Sequence, residues 1–236
     1  DYNNDYKIQA QVWTQNSAEY RALCYQAFNA AKINLDAIFF FEKAIELKPE
    51  EAELYNNLGI AYARQGEAQK AFKKWVEAIA LDPDYVNAHF NMGNAWYGIG
   101  RYREALLSWR RAAQLDSSYE SLRYNMGNAH VRLGQWEEAL SAYEQAHQRT
   151  PQRADVLLSM AQVYIRQGRV EPAIEMLRKA EAIDPVAPDI HYHLGDLYRT
   201  KEQVVEAQAH FARFLELAPD DRRSEGVRSY LSSIGN

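Results

Sequence analysis

Cysteine is almost missing from this chain: Cys24 is the only one in 236 residues. A single thiol excludes an intramolecular disulfide and any thiolate zinc cluster, and it leaves the redox compartment open. No apolar run approaches about 18 residues, so no membrane span is expected, and the first residues carry no secretory signal. Positive charge is in deficit, with 27 Lys and Arg against 32 Asp and Glu and a net charge of -5. That balance argues against a general nucleic-acid binder, because phosphate attracts a basic surface. The sequence also lacks a Gly-rich phosphate loop, an H-E-x-x-H pair and a nucleophile elbow. Its many carboxylates fall at helical spacing on polar faces. A non-enzymatic chain without catalytic residues, cofactor or metal is therefore expected. What is present is apolar material, 47% of residues with 12% aromatic, ample for a core.

Self-similarity orders that material. Residues 90–100 read FNMGNAWYGIG and residues 124–134 read YNMGNAHVRLG, 34 residues later, and YNNLGIAYARQG runs from Tyr55 to Gly66. A period of this length signals stacked helical hairpins. Six units follow the register: 18–51, 52–85, 86–119, 120–153, 154–187 and 188–221. Ala37, Ala71, Ala105, Ala139, Ala173 and Ala207 form one column, and Ala44, Ala78, Ala112, Ala146 and Ala180 another. Gly66, Gly100, Gly134 and Gly168 stand where the first helix of four units must turn. Pro49, Pro83, Pro151, Pro185 and Pro219 stop the second helix of five, with Ser117 in the remaining one. In the third unit His89, Met92, Gly93 and Trp96 share one packing face, and Ala105, Trp109 and Ala112 supply the second helix. Residues 1–17 lie outside the register and read as a helix packed on the first unit, with a frayed terminus as the alternative. Residues 222–236, with Val227, Tyr230, Leu231 and Ile234 on one face, read as a capping helix.

The second unit carries Tyr55, Leu58, Gly59, Tyr62, Ala71, Trp75, Ala78 and Pro83. This resembles the tetratricopeptide repeat pattern, and the resemblance extends over residues 18–221. It implies an all-α, right-handed superhelical solenoid of stacked antiparallel helix pairs. It also implies a protein or peptide partner held on the concave surface of the first helices. The first unit departs from the pattern, with Cys24-Tyr25 in place of Leu-Gly and Lys32 in place of the turn glycine. The sixth unit departs with Phe214 in a small-residue column. A shorter stretch, residues 13–37, resembles the N-terminal helical segment of secreted class C acid phosphatases. The Asp-rich catalytic motif of that family does not follow, so no phosphatase residue is carried over. A bacterial periplasm or envelope setting stands beside a cytoplasmic one, with the chain itself expected to be soluble.

The face opposite the packing face of the third unit's first helix holds Asn87, Phe90, Asn91, Asn94 and Tyr97. Asn57, Asn91 and Asn125 are equivalent in register, as are Asn94 and Asn128, followed by Gln162 and Asp196. An asparagine amide donates and accepts at once, so a ladder of them can grip the N–H and C=O groups of an extended peptide. Similar ladders line other superhelical repeat grooves. Three bidentate asparagines supply roughly 3–9 kcal/mol before ordering costs, against about 8 kcal/mol for a micromolar complex. Apolar anchors must therefore help, and Phe90, Tyr97, Tyr124 and Tyr192 are the candidates. The competing reading is that the asparagines bridge adjacent helices while the aromatics pack locally. Asn87, Ser121 and Asp155 occupy the sites where carboxylate-clamping relatives hold Lys and Arg, which argues against that subclass. Arg64, Arg132 and Arg166 close the first helices; they would meet acidic ligand groups or simply complement the helix C-terminus.

Other features are weaker. Asp189, His193 and Asp196 have a spacing that suits a metal, but structural zinc wants more nitrogen or sulfur, and a solvated acidic patch is favoured. His89, His130 and His191 read as packed core histidines, whereas His147 and His210 show no partner pattern. Arg101, Arg103, Arg110 and Arg111 make one second helix basic, a solvated face or a surface for an acidic protein. Phe39 and Phe40 face outward where the next unit has Lys73 and Lys74. They are expected to be covered by residues 1–17 or by another chain, the latter making a self-association contact.

Overall fold

Alternating stretches of 13 and 14 residues, each helical in its apolar spacing and separated by short glycine or proline turns, fold as paired helices. The computed structural model describes residues 22–23, 25–26, 37–117 and 119–234. Among the described residues there are twelve helices and no strand. The chain divides into two compact halves, Asp1–Tyr119 and Glu120–Asn236. The N-terminal half holds α1 (Ala37–Leu47), α2 (Ala52–Arg64), α3 (Ala68–Leu81), α4 (Val86–Gly98) and α5 (Tyr102–Leu115). The C-terminal half holds α6 (Glu120–Arg132), α7 (Trp136–Arg149), α8 (Ala154–Arg166), α9 (Val170–Ile183), α10 (Pro188–Thr200), α11 (Val204–Leu217) and α12 (Ser224–Ile234). The segment 1–17, Cys24 and Lys32 fall outside the described residues, and with them the expected N-terminal helix.

Among the described residues the turns between paired helices follow one pattern. Gly66, Gly100, Gly134 and Gly168 adopt positive φ between 70° and 80°. The next backbone N–H then reaches back five residues, as in Glu67 to Tyr62, Arg101 to Trp96, Gln135 to His130 and Arg169 to Tyr164, at 2.8–2.9 Å. These bonds satisfy carbonyls that a helix end leaves open. The sixth unit makes the same bond, Gln203 to Tyr198 at 2.9 Å, although its turn residue is Glu202 at φ 58°.

Small residues let the paired helices touch. The alanine columns are fully buried from Ala44 through Ala207. Gly59, Gly93, Gly127 and Gly195 lie directly against the rings of Trp75, Trp109, Tyr143 and Phe211. In the fifth unit the same two register positions carry Ala161 and Leu177, both fully buried, so a smaller partner accompanies the added methyl. In the N-terminal half the core runs through Phe41, Leu54, Leu58, Tyr62 and Trp75. In the C-terminal half it runs continuously from Ala139 and Tyr143 through Leu157, Leu177 and Leu194 to Phe211 and Phe214. The last helix, α12, buries Val227 in that core and sets Tyr230 edge-on to Phe211, with ring centroids 5.5 Å apart. Phe214, large in a column of alanines, lies under Tyr192, 5.3 Å between centroids, and under the Arg223 guanidinium at 5.1 Å.

Candidate functional site

The first helices of the two halves carry the expected contact residues, and the structure divides them into two groups. The first group is turned to internal use. Asn57 is only 6% exposed, and its Oδ1 accepts from Asn56 Nδ2 at 3.2 Å. Asn91 on α4 donates from Nδ2 to Asn56 Oδ1 on α2 at 2.9 Å. Asn91 therefore ties α4 to α2 through Asn56, a buried asparagine that the ladder pattern does not include, while Asn57 is bonded within α2. Asn125 is half-buried on α6. Phe90 packs its ring against Tyr119, 4.9 Å between centroids, and the Tyr119 hydroxyl donates to Asn87 Oδ1.

The second group is half-buried, with one side of each residue committed. Trp109 Nε1 donates to Asn94 Oδ1 at 3.2 Å, and the Tyr143 hydroxyl donates to Asn128 Oδ1 at 2.6 Å. The same device thus appears in both halves: a buried ring on the second helix uses its polar atom to hold the oxygen of a first-helix amide. Tyr97 lies edge-on to Tyr102 and tilted against Trp109, with ring centroids at 5.3 and 5.8 Å. Tyr124 lies beneath the Arg153 guanidinium, 4.7 Å from its ring centroid, with its hydroxyl 3.3 Å from Ser159 Oγ. Arg64, Arg132 and Arg166 are exposed in the last turns of α2, α6 and α8.

The acidic set on α10 is likewise paired. Asp189 meets Arg223 at 2.7 Å and Asp196 meets Arg199 at 2.5 Å. Arg223 also binds Asp221 at 2.8 Å, which pulls the Asp221 carboxyl down to about 2. Burial lowers the His193 imidazole below its usual range, against the opposing pull of Asp189.

Two features were not visible in the sequence. Tyr55, His89 and His191 occupy one register column, and each reaches the carbonyl of the proline six residues before it: Pro49 at 3.0 Å, Pro83 at 3.0 Å and Pro185 at 2.9 Å. His210, which showed no partner in the sequence, lies beside His191 and Glu181. Burial of Tyr85, next to Glu53, raises its phenol well above the ordinary range. Phe39 is 52% exposed and sits edge-on to Phe40, 5.4 Å between centroids. No described helix is long and apolar enough to cross a membrane.

Comparison with known proteins agrees with this geometry. Family models described as tetratricopeptide or TPR repeats match residues 36–66, 64–100 and 97–134, then 130–186, then 188–221. The likeness of residues 13–37 to class C acid phosphatases finds no support in these matches. No curated protein matches the sequence at a significant level. Among solved structures, YrrB, described as a TPR protein with an unusual peptide-binding site, is 23% identical, with a TM-score of 0.68 over 80% of this chain and 97% of that one. Pseudomonas aeruginosa pilF is 18% identical, with a TM-score of 0.73 over 90% of this chain and 97% of that one. PilW, described as a type IV pilus biogenesis factor, is 16% identical, with a TM-score of 0.73 over 90% and 99%. At these identities the likeness establishes the architecture: an all-α solenoid of stacked helix pairs.

Proposed function

The chain belongs to the tetratricopeptide repeat family, and on that premise we propose that it is a non-enzymatic scaffold holding an extended segment of a partner protein on its first helices. The observation that carries this reading is the oriented amide at Asn128. Its oxygen is taken by the Tyr143 hydroxyl, so what it offers to a third group is chiefly its N–H donors. Asn94 is held in the same sense by Trp109. The Asn128 donor, with the exposed guanidinia of Arg64 and Arg166, suits a ligand rich in acceptors: peptide carbonyls and acidic side chains. Tyr97 and Tyr124 lie against the rings that hold the two amides, Trp109 at 5.8 Å and Tyr143 at 5.6 Å between centroids, and supply apolar contact. Asn91 holds α4 to α2 instead of touching the ligand. The neighbour solved with a peptide-binding site lends the same direction to the proposal.

The test uses substitutions that keep the internal bond. Asn94→Asp and Asn128→Asp retain an oxygen for Trp109 and Tyr143 but replace the amide donor with a carboxylate oxygen. A peptide selected from a displayed library on the immobilised chain should bind each variant about tenfold more weakly or worse, with helicity unchanged by circular dichroism. Full affinity in both variants would refute the donor mechanism. A second reading rests on Phe39: its ring is exposed while Phe40 is half-buried against the core, and an exposed ring favours self-association. Light scattering across concentrations should then show a dimer that Phe39→Ser abolishes, and a concentration-independent monomer would dismiss it.

A further inference from the structure

Glu181 lies in the last turn of α9, His191 in the first turn of α10 and His210 in the middle of α11. The hairpin boundary brings their tips together. His191 Nδ1 is 3.3 Å from His210 Nδ1 and 3.5 Å from Glu181 Oε1, and His210 Nδ1 is 3.7 Å from the same oxygen. Ligands bonded to one tetrahedral ion at about 2.0–2.1 Å stand about 3.3–3.4 Å apart. The three atoms already have nearly that spacing.

One proton of His191 is fixed by chemistry. A carbonyl oxygen can only accept, so the 2.9 Å contact with Pro185 O requires a proton on Nε2. In the neutral imidazole Nδ1 then presents a lone pair to the cluster. An outer hydrogen bond of this kind orients metal-ligating histidines and fixes their tautomer. With both imidazoles neutral and no cation present, Glu181 Oε1 and His191 Nδ1 are two acceptors 3.5 Å apart, and His210 Nδ1 could donate to only one of them. Arg178 brings positive charge to the same surroundings. Its guanidinium is directed at the Tyr198 hydroxyl, at 2.8 and 3.1 Å, and it feels Glu206 as well as Glu181. Tyr198 in turn stacks on the His210 ring, with an interplanar angle of 11° and 5.6 Å between centroids, which holds that imidazole in position. His191 is buried, whereas Glu181 keeps a quarter of its side chain exposed, so solvent reaches one side of the cluster.

We propose that Glu181, His191 and His210 form a three-ligand site for Zn2+, with a fourth position open to water or an external ligand. Two imidazoles and a carboxylate match the preference of zinc among divalent ions and are poor ligands for Mg2+. The ion joins three helices across the boundary of the fifth and sixth units. Bound only by the folded chain, it raises the stability of that end of the C-terminal half in proportion to its occupancy.

The experiment takes the full chain, untagged and stripped with a chelator, and titrates Zn2+ against a chromophoric chelator. One equivalent should bind, and Mg2+ should not compete. Co2+ in place of Zn2+ should give the visible absorption of a tetrahedral nitrogen and oxygen site. Glu181→Gln and His210→Gln should each weaken Zn2+ on the order of 100-fold while preserving the helical circular dichroism, and Zn2+ should raise the thermal midpoint of the parent but not of these two variants. Glu181→Gln is near-isosteric at a part-exposed position, so the test stands even if His210→Gln fails to fold. His193→Gln, which alters the other histidine flanked by carboxylates, should leave binding intact. Absence of stoichiometric binding in the parent, retention of binding in both cluster variants, or loss in His193→Gln alone would each overturn the assignment.

Discussion

A methyl group at position 93 should test how the hairpins close. A Cβ built on Gly93 would lie 2.4 Å from both Cδ1 and Nε1 of Trp109 and 2.9 Å from Cε2. Real carbon contacts never come so near, so the indole must move or the helices must part. Trp109 is 1% exposed, and its Nε1 would have to leave Asn94 Oδ1 at 3.2 Å. Overpacking of this kind costs about 1–3 kcal/mol, and the disturbed indole bond adds about 1 kcal/mol. Gly93→Ala should therefore destabilise by about 2–4 kcal/mol. Trp109→Leu alone leaves a void where the indole was and costs about 3–4 kcal/mol. The fifth unit, where Ala161 and Leu177 occupy the equivalent sites, shows that methyl and smaller side chain belong together. Combined, Gly93→Ala and Trp109→Leu should cost less than the sum, with a favourable coupling of about 1–2 kcal/mol. Urea and thermal unfolding followed by far-ultraviolet circular dichroism read all four corners of the cycle. Strict additivity, or a Gly93→Ala protein as stable as the parent, would refute the close-approach argument.

Glu202 takes positive φ where four other units use glycine, so Glu202→Gly should stabilise by about 1 kcal/mol, seen as a higher thermal midpoint. Asn91→Ala removes the donor to the buried Asn56 oxygen and should cost about 1–3 kcal/mol, measured by urea unfolding; no loss would mean the amide bridge is incidental. His193 is held neutral by burial, with a pKa below its unfolded value of 6.5. The unfolded chain therefore takes up the proton first as pH falls below about 6.5, and the stability present above that pH declines. His193→Gln should flatten the midpoint profile between about pH 7 and pH 5 relative to the parent; identical slopes would discount the effect.

The repeat architecture was legible because each unit pays one hairpin's constraints again. Gly66, Gly100, Gly134 and Gly168 recur where a left-handed residue closes the turn, and the alanine columns recur where helices touch. The surface was less legible, because periodicity reports that a position is polar without saying which way its hydrogen bonds run. Asn57, Asn91 and Asn125 form a clear column in the sequence, yet the buried amide that receives the Asn91 donor is Asn56, one place outside it. Asn94 and Asn128 were visible as a pair; the capture of their oxygens by Trp109 and Tyr143 depends on aromatic side chains 15 residues away. Asp189, His193 and Asp196 had an attractive spacing along one helix, but the two carboxylates are paired with Arg223 and Arg199. His210 and Glu181 had no helical spacing to His191 at all. Their approach is set by three separate helices.

The column of Tyr55, His89 and His191 explains how a repeat acquires chemistry without altering its frame. That position needs a ring that fills space and a donor that reaches a proline carbonyl. Tyrosine meets both needs with one hydroxyl, and its bond to Pro49 uses its single proton and leaves no second ring nitrogen. Histidine meets them with Nε2, as the bonds to Pro83 and Pro185 show, and retains a second nitrogen. At His191 that second nitrogen faces Glu181 and His210, contributed by the helices on either side of α10. A substitution neutral for the scaffold thereby supplies the pre-oriented member of the cluster, and the two neighbours need only one side chain each to complete it. By the same logic the fifth unit, with fully buried Leu157 in this column, has no donor for the preceding carbonyl and no nitrogen to spare. Variation among units is thus most informative at positions where two chemically different residues satisfy one packing requirement, since only the surplus functional group distinguishes them.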